Sequence, residues 1–100
     1  MGSSEDGALL WEVRVSASAA KQGKKLPTAI TPSLVRLLQE LEKCGPIRKN
    51  WKNFGALSDI SYHCHIKKGR PTYVVCWRIE DKKRRVIEVY YVGTHESAPY

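Results

Sequence analysis

Between Tyr62 and Val92 the chain carries three segments of strand character separated by two short turns. The segments run from Tyr62 to Lys67, Thr72 to Glu80 and Arg85 to Val92. Gly69-Arg70-Pro71 supplies turn residues for the first break and Asp81-Lys82-Lys83 for the second. Two hairpins in succession form an antiparallel meander. With a side-chain period of two, Tyr73, Val75, Trp77 and Ile79 share one face of the middle strand, and Val74, Cys76 and Arg78 share the other.

Upstream, Trp11, Val13 and Val15 alternate with Glu12 and Arg14, which predicts a half-buried strand over roughly Leu9 to Val15. Ser16 is placed to cap a short helix through Ala17, Ala19, Ala20 and Gln22 toward Leu26, weakened by Gly23 and stopped by Pro27. Thr31-Pro32 reads as a second helix start, with Thr31 as the N-cap and proline at the first helical position. Leu34, Leu37, Leu38 and Leu41 make an apolar stripe opposite Arg36, Gln39, Glu40 and Lys43, and Gly45-Pro46 ends the helix. Residues 46–60 read as irregular. Trp51, Phe54 and Leu57 are expected to pin them to the core, with Arg48, Lys49 and Lys52 in water. The order β-α-α-β-β-β predicts an α+β fold: a two-helix hairpin packed on a small, mainly antiparallel four-stranded sheet. A chain of 100 residues supports one core, so residues 8–100 are expected to form a single domain after a disordered N-terminus over 1–7.

The net charge is +7, and it is unevenly placed. Up to Glu42 five basic residues balance five acidic ones, whereas from Lys43 onward twelve basic residues face five acidic ones. This favours an acidic partner, nucleic acid before protein. Cys44, Cys64 and Cys76 are an odd set without metal or disulfide spacing, which fits a reducing compartment. No apolar run reaches the roughly 20 residues of a membrane span, and no secretory pattern opens the chain, so the cytoplasm is the expected location. A Gly-rich phosphate loop and a Gly-x-Ser-x-Gly elbow are both missing, leaving nucleotide hydrolysis and serine-esterase chemistry without support.

The segment Tyr62-His63-Cys64-His65-Ile66-Lys67 is the most informative for chemistry. Alternation turns Tyr62, Cys64 and Ile66 toward a core and aligns His63, His65 and Lys67 on the other face. Two imidazoles and an ammonium in a row suit a phosphate, and histidine moves protons near neutral pH. An exposed polar strand face is the plain alternative. A His-x-His pair also binds metals, with His95, Asp59 or a cysteine as third ligand, but no ligand spacing here is diagnostic and no metal is assigned. His95 and Tyr100 follow Val92-Gly93 on a short tail able to fold across the sheet. Lys82, Lys83, Arg84 and Arg85 mark a basic hairpin tip. Cys44 and Cys76 read as small buried apolar groups.

Taken in order, Trp51-Lys52-Asn53-Phe54-Gly55, Tyr62-His63-Cys64-His65, Tyr73-Val74-Val75-Cys76-Trp77 and Val89-Tyr90-Tyr91-Val92-Gly93-Thr94-His95 through Tyr100 resemble the RelE/HigB-like toxins of bacterial toxin–antitoxin systems. The resemblance implies two helices on an antiparallel sheet. It implies a cytotoxic translational repressor that cleaves mRNA without a metal, usually on the ribosome, and is inhibited by a cognate antitoxin protein; neither a membrane nor a small-molecule cofactor is implied. It casts His63, His65, His95 and Tyr100 as catalytic, and Lys52, Lys67, Arg70 and Arg78 as RNA- or phosphate-binding. The sequence departs from active relatives at Val74, where they commonly carry an arginine; Arg70 is expected to reach over from the turn. The alternatives are a catalytically weak or inactive RNA- or ribosome-binding protein of the same fold, and a protein-interaction domain.

Overall fold

The computed structural model describes residues 10–100. The disordered segment expected over 1–7 lies outside the described residues, as does Leu9. Strand β1 (Glu12–Val15) is followed by helices α1 (Ala17–Lys24) and α2 (Thr31–Cys44). Strands β2 (Lys52–Ala56), β3 (Ser61–Lys67), β4 (Tyr73–Asp81) and β5 (Val86–Thr94) complete the sheet, and a 3-10 turn (His95–Ser97) leads to the C-terminus. The sheet order is β1-β5-β4-β3-β2, five strands where four were expected. The helices therefore carry the chain from one edge of the sheet to the other. β1 runs parallel to β5, and every other pair is antiparallel.

The first helix begins as its sequence dictates: Ser16 is extended, and its Oγ accepts from Ala19 N at 3.0 Å. It packs on β5 through Ala19, which is fully buried, and Gln22 Oε1 accepts the Val92 N–H at 2.9 Å. The second helix starts one residue earlier than expected. Thr31 lies inside it, Ile30 occupies the cap, and the Thr31 hydroxyl turns back to Pro27 O. The stretch after Pro27 already bends into a turn, with Ile30 N donating to Pro27 O at 2.9 Å, so the cap position is helical before Thr31 is reached. Gly45 ends α2 at φ +89°, and a Cβ there would stand 3.0 Å from Trp11 Nε1.

Leu37 and Leu41 are fully buried against Cys64, Val75, Trp77, Ile87 and Val89. Trp77 spends its indole N–H on Pro46 O at 3.0 Å. Cys44, expected to be buried, is exposed: it lies in the last turn of α2, beyond Leu41, where the chain turns away at Gly45. Residues 46–60 are not wholly irregular, since Lys52–Ala56 pairs with β3. Its strand character is hidden by a register shift between Lys52 and Gly55 and by Asn53 at φ 54°. Trp51 does anchor this stretch. Its Nε1 donates to Glu40 Oε1 at 2.8 Å, an oxygen that also accepts from Asn50 Nδ2 at 2.9 Å and Arg48 Nη1 at 3.2 Å. Phe54 stacks on Tyr62 at 5.8 Å.

A bulge in β5 sets up the other face of the sheet. Cys76 pairs with Tyr91 and Trp77 with Val89, leaving Tyr90 as the extra residue. Tyr90 and Tyr91 both join Val74 and Cys76 in a small second core, away from the helices. No helix among the described residues is long and apolar enough to cross a membrane.

Candidate active site

The face of β3 opposite the helices carries His63 and His65, with Cys64 fully buried between them and turned toward the main core. Their ring centroids are 6.3 Å apart. Gly55 of β2 lies opposite His63, and a Cβ there would be 3.3 Å from His63 Nε2. Bare backbone on the edge strand thus gives the imidazole its berth. No reading of residues 46–60 as a loop reveals that role.

His95 and Tyr100 are brought in by the way β5 ends. The Tyr91 ring lies across Gly93 so closely that a Cβ would fall 2.7 Å from its hydroxyl oxygen and 3.0 Å from Cζ. The same hydroxyl donates to Thr94 O at 2.7 Å. The backbone N–H of His95 donates to Thr72 O at 2.9 Å, which ties the 3-10 turn to the start of β4. Ala98 then packs on the small core, and Tyr100 returns over His63. Ring centroids are 4.7 Å apart, and the Tyr100 hydroxyl lies 3.4 Å from His63 Nδ1. His95 meets His65 edge-on at 5.6 Å and Tyr100 at 5.9 Å. Four rings from two separate stretches of chain therefore form one cluster.

Partial burial, then the neighbouring charges of His65 and His95, holds His63 below the ordinary histidine value. His65 is lowered by partial burial first and by His95 and Lys68 next. Both rings are biased toward the neutral form near pH 7, the state in which an imidazole accepts a proton. Tyr100 is raised, chiefly by burial, and keeps its proton there. Burial likewise pushes the Cys64 and Cys76 thiols up to about 12, so neither is a nucleophile.

The expected phosphate contacts are divided. Arg70 is exposed and lines a cleft of about 690 Å³ with Thr72, Thr94, His95 and Glu96. Lys52 is exposed on the edge strand, opposite His65. Lys67 bends its ammonium toward the carbonyls of Lys68 and Pro71, at 3.2 and 3.4 Å. Arg78 is engaged by two carboxylates, Glu88 at 2.7 Å and Glu80 at 3.1 Å, so its charge is already met within the protein. Val74 is fully buried in the small core. Among the described residues, no three His, Cys, Asp or Glu side chains are grouped as metal ligands.

The fold, two helices on a mainly antiparallel five-stranded sheet, is that of solved RelE structures. The archaeal RelE–RelB complex from Pyrococcus horikoshii OT3 superposes at a TM-score of 0.68 and 16% identity, over 90% of this chain and 100% of that one. A mutant of the Escherichia coli toxin RelE in the free state gives 0.68 and 18%, over 90% and 88%. The RelBE2 toxin–antitoxin complex from Mycobacterium tuberculosis gives 0.60 and 20%, over 87% and 100%. No protein-family model matches the chain. No curated protein sequence matches it either.

Proposed function

We propose that the protein is a toxin of the RelE/HigB kind, an endoribonuclease that cleaves mRNA, on the ribosome, without a metal. The observation that carries the reading is the meeting of His63, His65, His95 and Tyr100 at ring separations of 4.7–6.3 Å on an exposed face. The reaction is an in-line transesterification. The ribose 2′-oxygen bonds to the adjacent phosphorus, and the bond to the 5′-oxygen breaks, leaving a 2′,3′-cyclic phosphate and a free 5′-hydroxyl. A neutral imidazole of the β3 pair takes the 2′-hydroxyl proton. His95 returns a proton to the leaving oxygen. Lys52, Lys67 and Arg70 supply positive charge along the rim for the developing phosphorane. Tyr100 stacks on a base or helps to orient the hydroxyl. RNA is required, because DNA lacks the attacking oxygen. The protein works in the cytoplasm, where mRNA is translated.

An antitoxin completes the system. Three of the structural neighbours are RelE–RelB or RelBE complexes, and a net charge of +7 suits an acidic protein that covers the basic face.

Ribosomes programmed with a defined mRNA are the test. Cuts that disappear on His95→Ala or on removal of Tyr100 support the reading. Intact mRNA with retained ribosome binding favours a second reading, a binding protein without catalysis. The buried Val74, at the position where relatives commonly carry arginine, favours that second reading.

A further inference from the structure

One rung along β4 from His63, three side chains build a layered stack. Cys76 pairs with His63 and Arg78 pairs with Ser61, so the two rungs are separated by about 7 Å of strand. Tyr90, the bulge residue of β5, sends its phenol across β4 to Ser61 Oγ at 2.6 Å. The Arg78 guanidinium lies on top of that ring, its Cζ 4.6 Å from the ring centroid. Nη2 donates to Glu88 Oε1 at 2.7 Å and Nε to Glu80 Oε2 at 3.1 Å, so two edges of the plane are held.

Two carboxylates outweigh one guanidinium, and the group is a poor anchor for phosphate. Its geometry suits another ligand. Tyr90 covers the lower face and the carboxylates hold the edges, yet the side chain is 41% exposed. With one face on Tyr90 and two edges on carboxylates, the face away from Tyr90 is where a flat ligand would lie. A flat, fixed cationic face with its charge offset is a surface on which an unpaired base stacks with little regard to sequence.

We propose that Arg78 on Tyr90 is a nucleobase platform, which receives the base of a nucleotide adjoining the scissile phosphate in single-stranded RNA. This rests on the ribonuclease reading of the ring cluster and adds a second stacking site to Tyr100. It also explains why Arg78 is neutralised on a face otherwise rich in cations: a planar stack is kept and a competing phosphate site is avoided.

The test uses the full chain and ribosomes programmed with an mRNA made uncleavable by one 2′-deoxy substitution at the scissile ribose. Affinity is measured for the intact strand and for strands with an abasic site on either side of that ribose. For the wild type, one of the two abasic strands binds about tenfold more weakly or worse. For Arg78→Lys, which keeps the charge and loses the plane, the intact strand is already weakened and the same abasic site costs nothing further. Arg78→Gln replaces it if the lysine variant does not fold. The proposal is overturned if neither abasic site matters to the wild type, or if the cost is equal in the variant. Cleavage of unmodified RNA is followed in parallel. Cleavage without an abasic effect removes the platform alone, whereas absence of both cleavage and binding removes the ribonuclease reading with it.

Discussion

Replacing Gly93 by alanine tests how the end of β5 delivers His95. The new methyl would lie 2.7 Å from the Tyr91 hydroxyl oxygen and 3.0 Å from Cζ, and Tyr91 is only 7% exposed, with little room to retreat. Forcing a group into a packed site costs about 1–3 kcal/mol. Moving the phenol also gives up its hydrogen bond to Thr94 O, worth about 1 kcal/mol. Against this, alanine recovers about 0.5–1 kcal/mol relative to glycine in a strand. The net expectation is a loss of about 2 kcal/mol, read as a lower midpoint with an unchanged slope in urea unfolding. The partner assignment is checked by repeating Gly93→Ala in a Tyr91→Phe background, which lacks the oxygen nearest the clash. There the substitution should cost about 1 kcal/mol less, because residues in contact do not add. An equal cost in both backgrounds would refute the claim that this phenol is what requires glycine at 93.

Glu40→Ala leaves Trp51 Nε1, Asn50 Nδ2 and Arg48 Nη1 without their shared acceptor; thermal or urea unfolding should show a loss of about 2 kcal/mol. Burial raises the Glu40 carboxyl, but hydrogen bonds from Asn50, Trp51 and Arg48 outweigh it and the net shift is downward. Its stabilising effect is therefore present above the ordinary value of 4.5 and is lost as pH falls through the lowered one. His63 and His65 titrate earlier. Their folded values lie below the ordinary 6.5, so the unfolded chain binds protons first, and unfolding midpoints should begin to fall as pH drops through about 6.5. His63→Gln should flatten that fall. A thiol reagent should find Cys44 fast in the native protein and Cys64 and Cys76 only after denaturation, because the latter two are buried and pushed up to about 12.

The parts of the fold that follow strict periodicity were legible. The Leu37–Leu41 stripe, the Ser16 cap and the two faces of β3 and β4 need only local pattern, and the structure has them where the pattern puts them. β2 was not legible, because its bulge destroys the alternation that marks a strand. The resemblance put His63, His65, His95 and Tyr100 in one site, and the residues themselves offered only a polar strand face and a tail able to fold across the sheet; the structure brings the four rings together. The devices that hold them there were not legible. Gly55 makes room for His63 only through pairing with β3, and Tyr91 supports Thr94 only because a bulge turns two consecutive tyrosines to one face. Arg78 is the clearest case. Alternation put it on the correct face, but its two carboxylate partners come from different strands, and one of them, Glu88, reaches it only through register.

The central claim is that imidazoles meeting at the end of β5 break RNA through its own 2′-oxygen. Product analysis on a defined mRNA reads this directly. The account predicts a single cut ending in a 2′,3′-cyclic phosphate, abolished by one 2′-deoxy substitution at that ribose and reduced at least a hundredfold by His95→Ala. A cut that survives the deoxy substitution, or one made equally fast by His95→Ala, would contradict it.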